Sequence, residues 1–415
     1  MLDAAFARHV GLDARDRGLA TELTYGVLRT APFLERKLAP FAKRGIDKLD
    51  PTVRVHLLVA AYQLLFLDRV PAFAAVSEAV DLVRDARGPK LGAFANAVLR
   101  RLAEQAKLDR TPLDKAMRES AAPWLFDALS RALGEEGAEA FLLAGPIPPP
   151  IGLRLRAGED RDAWMRRWRE ALPSASFEPG NVSPRTVLLR GGGDPRKLEG
   201  YEQGVFVVQE EGSVAVATSL GAQPGEVVLD ACAGRGNKTS LLAEAVGRTG
   251  AVDAADLHEP KLERLRKELG RLGLAVRATH PTDWTVGPGN VPEGYDRVLV
   301  DAPCSGIGTL RRRPDLATRR QSLDLVAIAD MQRRILANAA SRVRKGGIVV
   351  YAVCNVLREE AEDVVEKVLA SRPDLLPTPI PDPGLRELAR GGSTLRLLPH
   401  QHGTDGYFIA SFVRR

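Results

Sequence analysis

The chain has 415 residues and 45% of them are hydrophobic, so it is long enough for more than one folded core. Its formal net charge is +6, a mild excess that favours a polyanionic partner such as a nucleic acid. It contains no apolar run of 18 residues and no signal peptide, which argues against a membrane protein, and its three cysteines fit free thiols in a reducing cytoplasm.

The first part of the chain, residues 1–106, predicts an all-α domain. Apolar residues recur there at helical spacing, as in Arg54–Leu67. Lys90–Arg101 closes this domain, and its two terminal arginines fit a helix dipole without any contact to RNA. The pattern over residues 107–145 predicts short helices that link this domain to the rest of the chain.

The rest of the chain predicts two further regions that contain strands. Residues 146–210 mix short strands with one charged helix over 160–172, which indicates a small α+β subdomain. Residues 211–415 alternate strands and helices, which predicts a mostly parallel sheet with helices on both faces and an antiparallel edge near the end of the chain. The predicted parallel strands are Val227–Leu229, Gly250–Ala255, Ala275–Ala278, Arg297–Val300 and Ile348–Val353, and a long helix is predicted over Ser322–Arg344.

Two cysteines each follow a predicted buried strand. Cys304 follows Asp301-Ala302-Pro303, and Cys354 follows the strand that ends at Val353. Because the carboxyl ends of parallel strands form the ligand crevice of such sheets, we expect both thiols and Asp301 to lie there together. A thiolate is a good nucleophile for an electron-poor carbon, whereas Cys232 is more simply explained as a small buried apolar residue.

A loop of small residues predicts a nucleotide-type site. The segment 231–237 lies between a strand that ends at Asp230 and a helix, so its backbone N–H groups can approach a ligand closely. Asp256 ends the next strand, where a carboxylate accepts hydrogen bonds from a ribose diol. The segment matches neither the dinucleotide fingerprint nor the P-loop, which disfavours nicotinamide and Walker-type nucleotide binding.

The sequence motifs around Cys304 and Cys354 are specific, and they resemble those of a known family. DAPCSG followed by RRRPD, and YAVCNVL followed by two glutamates, resemble the RNA cytosine-5 methyltransferases of the Nop/Sun family. LATELTYGVLRT and FANAVLRRL resemble the NusB-like helical RNA-binding domain of bacterial ribosomal RNA methyltransferases, over about residues 12–104. GVFVVQEEGSVAVA and PHQHGTDGYFIASFV extend the resemblance to nearly the whole chain.

The resemblance implies a Rossmann-like class I methyltransferase domain that uses S-adenosylmethionine. It implies that Cys354 attacks C6 of a cytosine in 16S ribosomal RNA, that Cys304 assists removal of the C5 proton, and that Asp301 holds the pyrimidine edge. Asp256 would bind the ribose and Asp283 the adenine. The cofactor-binding residues that it implies are Cys232, Ala233, Gly234, Arg235, Gly236, Asn237, Lys238, Asp256, Asp283 and Asp301.

Three segments depart from the family pattern or need a separate argument. The family loop reads Ala-Ala-Pro-Gly-Gly-Lys-Thr, whereas this chain has Ala-Gly-Arg-Gly-Asn-Lys-Thr over 233–239, and its Thr-Cys-Ser is Val-Cys-Asn over 353–355. After Cys304 come three arginines that are predicted to contact RNA phosphates, although such a run of charged residues can also be a solvated face. These residues are Arg311, Arg312 and Arg313.

Two other functions remain open from the sequence. The altered cofactor loop favours a non-catalytic RNA-binding or ribosome-assembly factor, while the paired cysteines argue against it. A DNA cytosine-5 methyltransferase would use the Pro-Cys thiol as its nucleophile, but the second cysteine and the NusB-like segment disfavour that function. We expect a cytoplasmic monomer without a metal site and without a stable protein partner.

Overall fold

The computed structural model describes residues 5–6, 8–9, 11–42, 45–108, 111–145, 148–320 and 322–415. The chain forms two compact units, of which the first comprises residues 1–126, 142–146 and 313–319 and the second residues 127–141, 147–312 and 320–415. The predicted domain boundary at residue 146 lies outside the described residues. Across those described ranges, every helix is too short or too polar to cross a membrane.

The first unit is helical, which confirms the predicted all-α domain. Asp50 caps the second helix by accepting a hydrogen bond from Thr52 N (2.9 Å), and Pro51 occupies the first turn, where its missing N–H is not needed. This second helix is apolar nearly all round, and it packs against the helices on both sides of it in sequence. The helices are α1 (Ala14–Leu38), α2 (Pro51–Phe66), α3 (Ala72–Arg87), α4 (Pro89–Leu108) and α5 (Leu113–Ser120). Helix α6 (Pro123–Leu143) follows and is kinked at Gly134.

In the second unit, residues 127–141 of α6 are followed by a small antiparallel sheet. Its strand order is β2-β3-β1-β4, and helix α7 (Arg161–Ala171) covers it. Asp160 caps this helix through Asp162 N (2.9 Å), and Trp168, Phe177 and Phe206 fill the core between helix and sheet. The strands are β1 (Ile151–Leu155), β2 (Ser176–Pro179), β3 (Thr186–Arg190) and β4 (Phe206–Val208).

The larger sheet is Rossmann-like and confirms the predicted mostly parallel fold with an antiparallel edge. Its strand order is β10-β12-β9-β8-β5-β6-β7, with β11 beside β12. The strands β5 to β9 run parallel, and β12 pairs antiparallel to β9. The strands are β5 (Val227–Asp230), β6 (Ala251–Asp256), β7 (Ala278–Pro281), β8 (Tyr295–Asp301), β9 (Val343–Val353), β10 (Leu375–Pro377), β11 (Thr394–Leu397) and β12 (Tyr407–Arg414).

Helices lie between these strands, and the order of the strands places the ligand crevice. After β5 the chain adds β6 and β7 on one side and then returns to add β8 on the other, so the switch point lies at the carboxyl ends of β5 and β8. The helices are α8 (Glu211–Ser219), α9 (Asn237–Val246), α10 (Glu259–Arg271), α11 (Leu316–Arg319), α12 (Ser322–Ala340), α13 (Glu362–Ser371), α14 (Pro383–Leu388) and α15 (Pro399–His402).

Two ends of helices and strands predicted from the sequence were wrong, and one strand was missed. The predicted helix Ser322–Arg344 ends at Ala340, because Val343 already pairs with Tyr295 in the sheet. The third parallel strand begins at Ala278 rather than Ala275, since its partners are the residues that end β6. The short edge strand β10 was not predicted at all, because its three residues carry no alternation strong enough to reveal a strand.

Candidate active site

The two predicted thiols lie in contact. Cys304 follows β8 and Cys354 follows β9, and these neighbouring strands are paired in register from Arg297 opposite Ile348 to Asp301 opposite Ala352. Their Sγ atoms are 3.0 Å apart, although the residues are 50 positions apart in sequence. The structure therefore brings together the two cysteines that the sequence singled out.

A close backbone contact holds the loop that carries Cys304. Gly308 N donates to Cys354 O (3.1 Å), and Gly308 O accepts from Gly406 N (2.8 Å). A Cβ atom at Gly308 would lie 2.0 Å from Gly406 O and 2.8 Å from Cys354 O. Only glycine fits there, so the loops after β8, after β9 and before β12 are fixed against one another.

A buried carboxylate behind the thiols was not predicted as a site residue. Glu360 is fully buried in a 3₁₀ turn, and its Oε2 accepts from Ser305 N (2.9 Å) and from Gln332 Nε2 (2.8 Å). Its Oε1 accepts from Asn355 Nδ2. Burial raises the pKa of Glu360, and hydrogen bonds from Ser305 and Gln332 oppose that rise. The pair of glutamates after Cys354 was the sequence signal that could have indicated it.

Asp301 ends β8 and forms an ion pair with the first turn of α9. Lys238 Nζ lies 2.6 Å from Asp301 Oδ2, and both side chains are largely buried. Burial alone lowers the pKa of Lys238, but the charges of Asp301 and Asp230 outweigh it and the pKa is raised. The lysine is therefore a fixed cation between two carboxylates.

Asp230 ends β5 at the switch point and is fully buried. Burial raises its pKa to about 6, although Thr239 Oγ1 donates to its Oδ2 (2.7 Å) and Lys238 lies nearby. Within the described ranges, its Oδ1 has no hydrogen-bond partner. A buried carboxylate oxygen without a partner at this edge of the sheet can accept a hydrogen bond from a bound ligand.

The glycine-rich loop leaves open space beside a strand-end carboxylate. Gly234 has φ +57°, and a Cβ atom added there would meet nothing within 4 Å beyond its own chain neighbours, while Gly236 has φ +90° at the start of α9. Asp256 accepts hydrogen bonds from Gly234 N (3.0 Å) and His258 N (2.9 Å), and Lys261 Nζ lies 3.2 Å away. These residues fit a nucleoside cofactor, because Asp256 can accept from a ribose while the loop presents backbone groups.

The other predicted cofactor residues lie along the same edge. Asp283 follows β7 and is exposed. It accepts from Thr285 Oγ1 (2.6 Å) and from Thr285 N (2.9 Å), and these two bonds lower its pKa. Burial raises the pKa of Cys232, which packs against the main core as an uncharged thiol. Asn237 Nδ2 donates to Val208 O (3.3 Å), whereas Arg235 is exposed. The described residues contain no group of His, Cys, Asp and Glu that could hold a metal ion.

The three arginines after Cys304 differ in environment. Arg311 is only 8% exposed and is paired with Asp405, which also pairs with Arg312 (2.9 Å). Glu210 joins this buried cluster, and burial followed by the charge of Asp405 raises its pKa to about 7. The structure therefore does not favour the predicted phosphate contact for Arg311, whose charge is neutralised within the fold, whereas Arg313 is exposed.

The strand order and the loop at the switch point define the class of protein, a Rossmann-like methyltransferase fold preceded by a NusB-like helical domain. A family model described as 16S rRNA methyltransferase RsmB/F matches residues 217–413, and a NusB family model matches residues 1–104. The chain belongs to the ribosomal RNA small subunit methyltransferase B family, as its similarity to curated members over nearly its full length shows.

Two of these relatives illustrate the similarity. The probable ribosomal RNA small subunit methyltransferase B of Bacillus subtilis is 33% identical over 97% of this chain and 92% of its own length. The ribosomal RNA small subunit methyltransferase B of Pseudomonas syringae is 33% identical over 97% of this chain and 90% of its own length.

Solved structures show the same fold. The crystal structure of PH0851 has a TM-score of 0.81 at 24% identity and covers 99% of this chain and 93% of that one. A methyltransferase homologue from Pyrococcus horikoshii has a TM-score of 0.57 at 25% identity and covers 71% of this chain and all of the other.

Proposed function

We propose that this protein transfers a methyl group to C5 of a cytosine in 16S ribosomal RNA through a covalent bond between Cys354 and C6. The observation that carries the proposal is the contact of 3.0 Å between the Sγ atoms of Cys304 and Cys354 at the crevice of the sheet. Two thiols in contact suit a reaction in which one attacks a carbon and the other handles a proton.

The environment of the thiols supports different roles for them. The hydrogen bond to Cys354, followed by burial and by the charges of Cys354, Glu360 and Asp301, raises the pKa of Cys304. This raised pKa favours the protonated form of Cys304. Either sulfur can donate in the contact between the two thiols, and the resemblance to the Nop/Sun family assigns the attack on C6 to Cys354. A DNA cytosine-5 methyltransferase would use the thiol after proline instead, and the second cysteine in contact with that thiol, together with the NusB-like segment, disfavours such an enzyme.

In the proposed reaction, covalent bonds form and break at C5 and C6 of the pyrimidine ring. The Cys354 thiolate adds to C6 and the electrons of the C5–C6 double bond move to C5, which becomes the nucleophile for a methyl group. Bound S-adenosylmethionine supplies that methyl group from its sulfonium. Cys304 passes its own proton to solvent water, and its thiolate then takes the C5 proton. The C5–C6 double bond forms again as the bond from C6 to the Cys354 sulfur breaks, and Cys354 leaves as a thiolate.

The remaining predicted residues would bind and orient the reactants. Asp301, fixed by its ion pair with Lys238, would accept from the pyrimidine edge. The loop 232–238 would surround the methionine and ribose parts of the cofactor, Asp256 would accept from the ribose hydroxyls, and Asp283 would bind the adenine. This pairing of loop and strand-end carboxylate supports S-adenosylmethionine as the cofactor.

The RNA must present an unstacked base. A cytosine within a duplex cannot reach a thiol at the edge of a sheet, so the target lies in a single strand or is flipped out. The NusB-like residues 1–106 would add affinity for RNA rather than chemistry, and exposed Arg313 would contact a phosphate. Ribosomal RNA as the substrate follows the names of the curated relatives, and three free cysteines fit a cytoplasmic location.

Cysteine variants test the mechanism on a denaturing gel. We expect Cys304→Ala to form the bond to RNA and to methylate, but to release slowly, so that RNA and protein migrate together. We expect Cys354→Ala to abolish methylation without trapping RNA, because no thiol attacks C6. Trapping by Cys354→Ala instead would reverse the roles, and activity in both variants without trapping would contradict a covalent mechanism.

A non-catalytic assembly factor is the second candidate, and the altered loop Gly234–Asn237 is the observation that favours it. Such a protein would bind RNA but not S-adenosylmethionine. Calorimetry with S-adenosylmethionine separates the two candidates, because an enzyme of the proposed kind binds it. Bisulfite sequencing of ribosomal RNA from cells with and without the gene identifies any cytosine that depends on it.

A further inference from the structure

Residues next to each of the two cysteines converge on one buried carboxylate. Glu360 Oε2 accepts from Ser305 N, directly after Cys304, and from Gln332 Nε2, which also donates to Pro303 O (2.9 Å), directly before it. Glu360 Oε1 accepts from Asn355, directly after Cys354. One side chain therefore holds the loop of Cys304 on both sides and the loop of Cys354 on one.

Further bonds join the two loops in the same place. Asn355 Nδ2 also donates to Ser305 Oγ (2.8 Å), and its Oδ1 accepts from Val356 N (2.6 Å) and Leu357 N (2.9 Å). Tyr351 OH donates to the Glu360 carbonyl (2.7 Å), which fixes the turn that carries the carboxylate. The network is buried, so a small displacement of Glu360 moves both loops.

We propose that Glu360 is a positioning residue for the methyl-transfer reaction, whose carboxylate sets the separation of the two thiols and keeps a negative charge behind Cys304. The inference rests on the proposed cysteine-dependent function. Ser305 N, Gln332 Nε2 and Asn355 Nδ2 all donate to its oxygens, which fits an ionised carboxylate because that group only accepts.

The charge of Glu360 bears on which thiol attacks. The charged or titratable groups that act on Cys304 are Cys354, Glu360 and Asp301, and the charges of both carboxylates raise its pKa. Arg320 faces Glu360 and favours its ionised form. The negative charge of Glu360 therefore favours the protonated form of Cys304.

The test compares Glu360→Gln with the matched control Glu359→Gln in the full-length protein. The control removes the same charge from the preceding residue, whose carboxylate contacts Arg131 (2.6 Å) instead of the cysteine loops. We expect Glu360→Gln to lower kcat by about tenfold to hundredfold with little change in KM for RNA, because misplaced groups slow the chemical step more than binding. The control should keep the kcat of the unmodified protein.

Thiol labelling provides a readout that does not depend on RNA. Brief pulses of iodoacetamide over a range of pH, followed by mass spectrometry of the Cys304 peptide, report the ionisation of that thiol. Removing the negative charge at Glu360 should shift labelling of Cys304 to lower pH, since that charge raises its pKa. A labelling profile and a kcat both equal to those of Glu359→Gln would overturn the proposal.

A rescue variant separates positioning from a general loss of stability. Glu360→Gln combined with Asn355→Asp moves the carboxylate to the neighbouring side chain and restores complementary donors and acceptors between them. We expect kcat to recover substantially in the double variant; a kcat no higher than that of Glu360→Gln would contradict positioning through this bond. Should Glu360→Gln not fold, Glu360→Asp keeps the charge but withdraws it by one methylene, and an unchanged kcat there would overturn the proposal.

Failure of the proposed function gives a different result. If the unmodified protein forms no 5-methylcytosine in RNA, the proposed reaction is wrong, whatever the labelling shows. If it does form 5-methylcytosine and Glu360→Gln behaves as its control, only the role of Glu360 is wrong.

Discussion

The carboxylate of Asp256 organises the glycine-rich loop before any ligand binds. It accepts from Gly234 N, from His258 N and from Lys261, so its position is fixed by both the loop and the start of α10. A carboxylate fixed in this way loses little freedom when it accepts hydrogen bonds from a ribose. In the proposed function, Asp256 therefore both holds the loop and binds the cofactor.

Asp256→Ala should weaken binding of S-adenosylmethionine by about 1–3 kcal/mol, because the loop amide and the ribose hydroxyls would both lose their acceptor. Calorimetry with S-adenosylmethionine measures the change. Glu259→Ala is the matched control, since this exposed carboxylate lies three residues later and pairs with Arg266 (2.6 Å). Equal affinities for the two variants would remove Asp256 from the cofactor site.

At the scale of elements, the loops after β8 and β9 are placed by contacts with one another and with the loop before β12. The contact of Gly308 with Cys354 O and Gly406 N is the tightest of these, because the backbones approach more closely than a side chain allows. The loop before the antiparallel strand β12 thus supports the loop that carries Cys304.

Gly308→Ala should displace the Cys304 loop and lower kcat by about tenfold to hundredfold, because its Cβ would overlap the carbonyl of Gly406. Binding of S-adenosylmethionine should change little, since the cofactor loop follows a different strand. Gly287→Ala serves as the control, because among the described residues nothing beyond its own chain neighbours lies within 4 Å of its Cβ position. Steady-state kinetics decide the matter, and equal kcat values for the two variants would show that the close contact is dispensable.

At the scale of the whole molecule, the net charge of +6 is compatible with an RNA substrate, but some arginines are paired inside the fold and cannot contact RNA. Arg311 is neutralised by Asp405, and Arg154 lies fully buried beside Glu244 (3.0 Å). Association with RNA would therefore depend on the arginines and lysines that stay exposed on both units. Such contacts release counterions, which makes them sensitive to salt.

Raising the salt concentration from about 50 to about 200 mM should increase KM for RNA by at least tenfold, as expected where several phosphates are neutralised. The affinity for S-adenosylmethionine should stay nearly constant over the same range, because its site depends on short-range hydrogen bonds. Steady-state kinetics and calorimetry at matched salt concentrations measure both quantities. A KM independent of salt would contradict a basic RNA-binding surface.

The sequence by itself determined the fold class, since apolar periodicity separates the helical domain from the alternating strands and helices. It also indicated which residues lie at the crevice, because strand ends such as Asp230 and Asp256 are visible as the ends of apolar runs. The functional roles assigned to those residues remain predictions. Element ends were less accurate, as the helix that stops at Ala340 shows, because the register of the neighbouring strand decided them.

Only the tertiary structure decided which charged side chains are buried and paired inside the fold. Nothing in the sequence distinguishes Arg311 from Arg313. In the structure Arg311 is buried against Asp405, 94 positions away, whereas Arg313 is exposed. Glu360 and its neighbour Glu359 are likewise the same residue type in the sequence. In the structure the loops after β8 and β9 donate hydrogen bonds to Glu360. The physical reason is that burial and hydrogen bonding depend on residues far apart in the chain, whereas periodicity depends on neighbours.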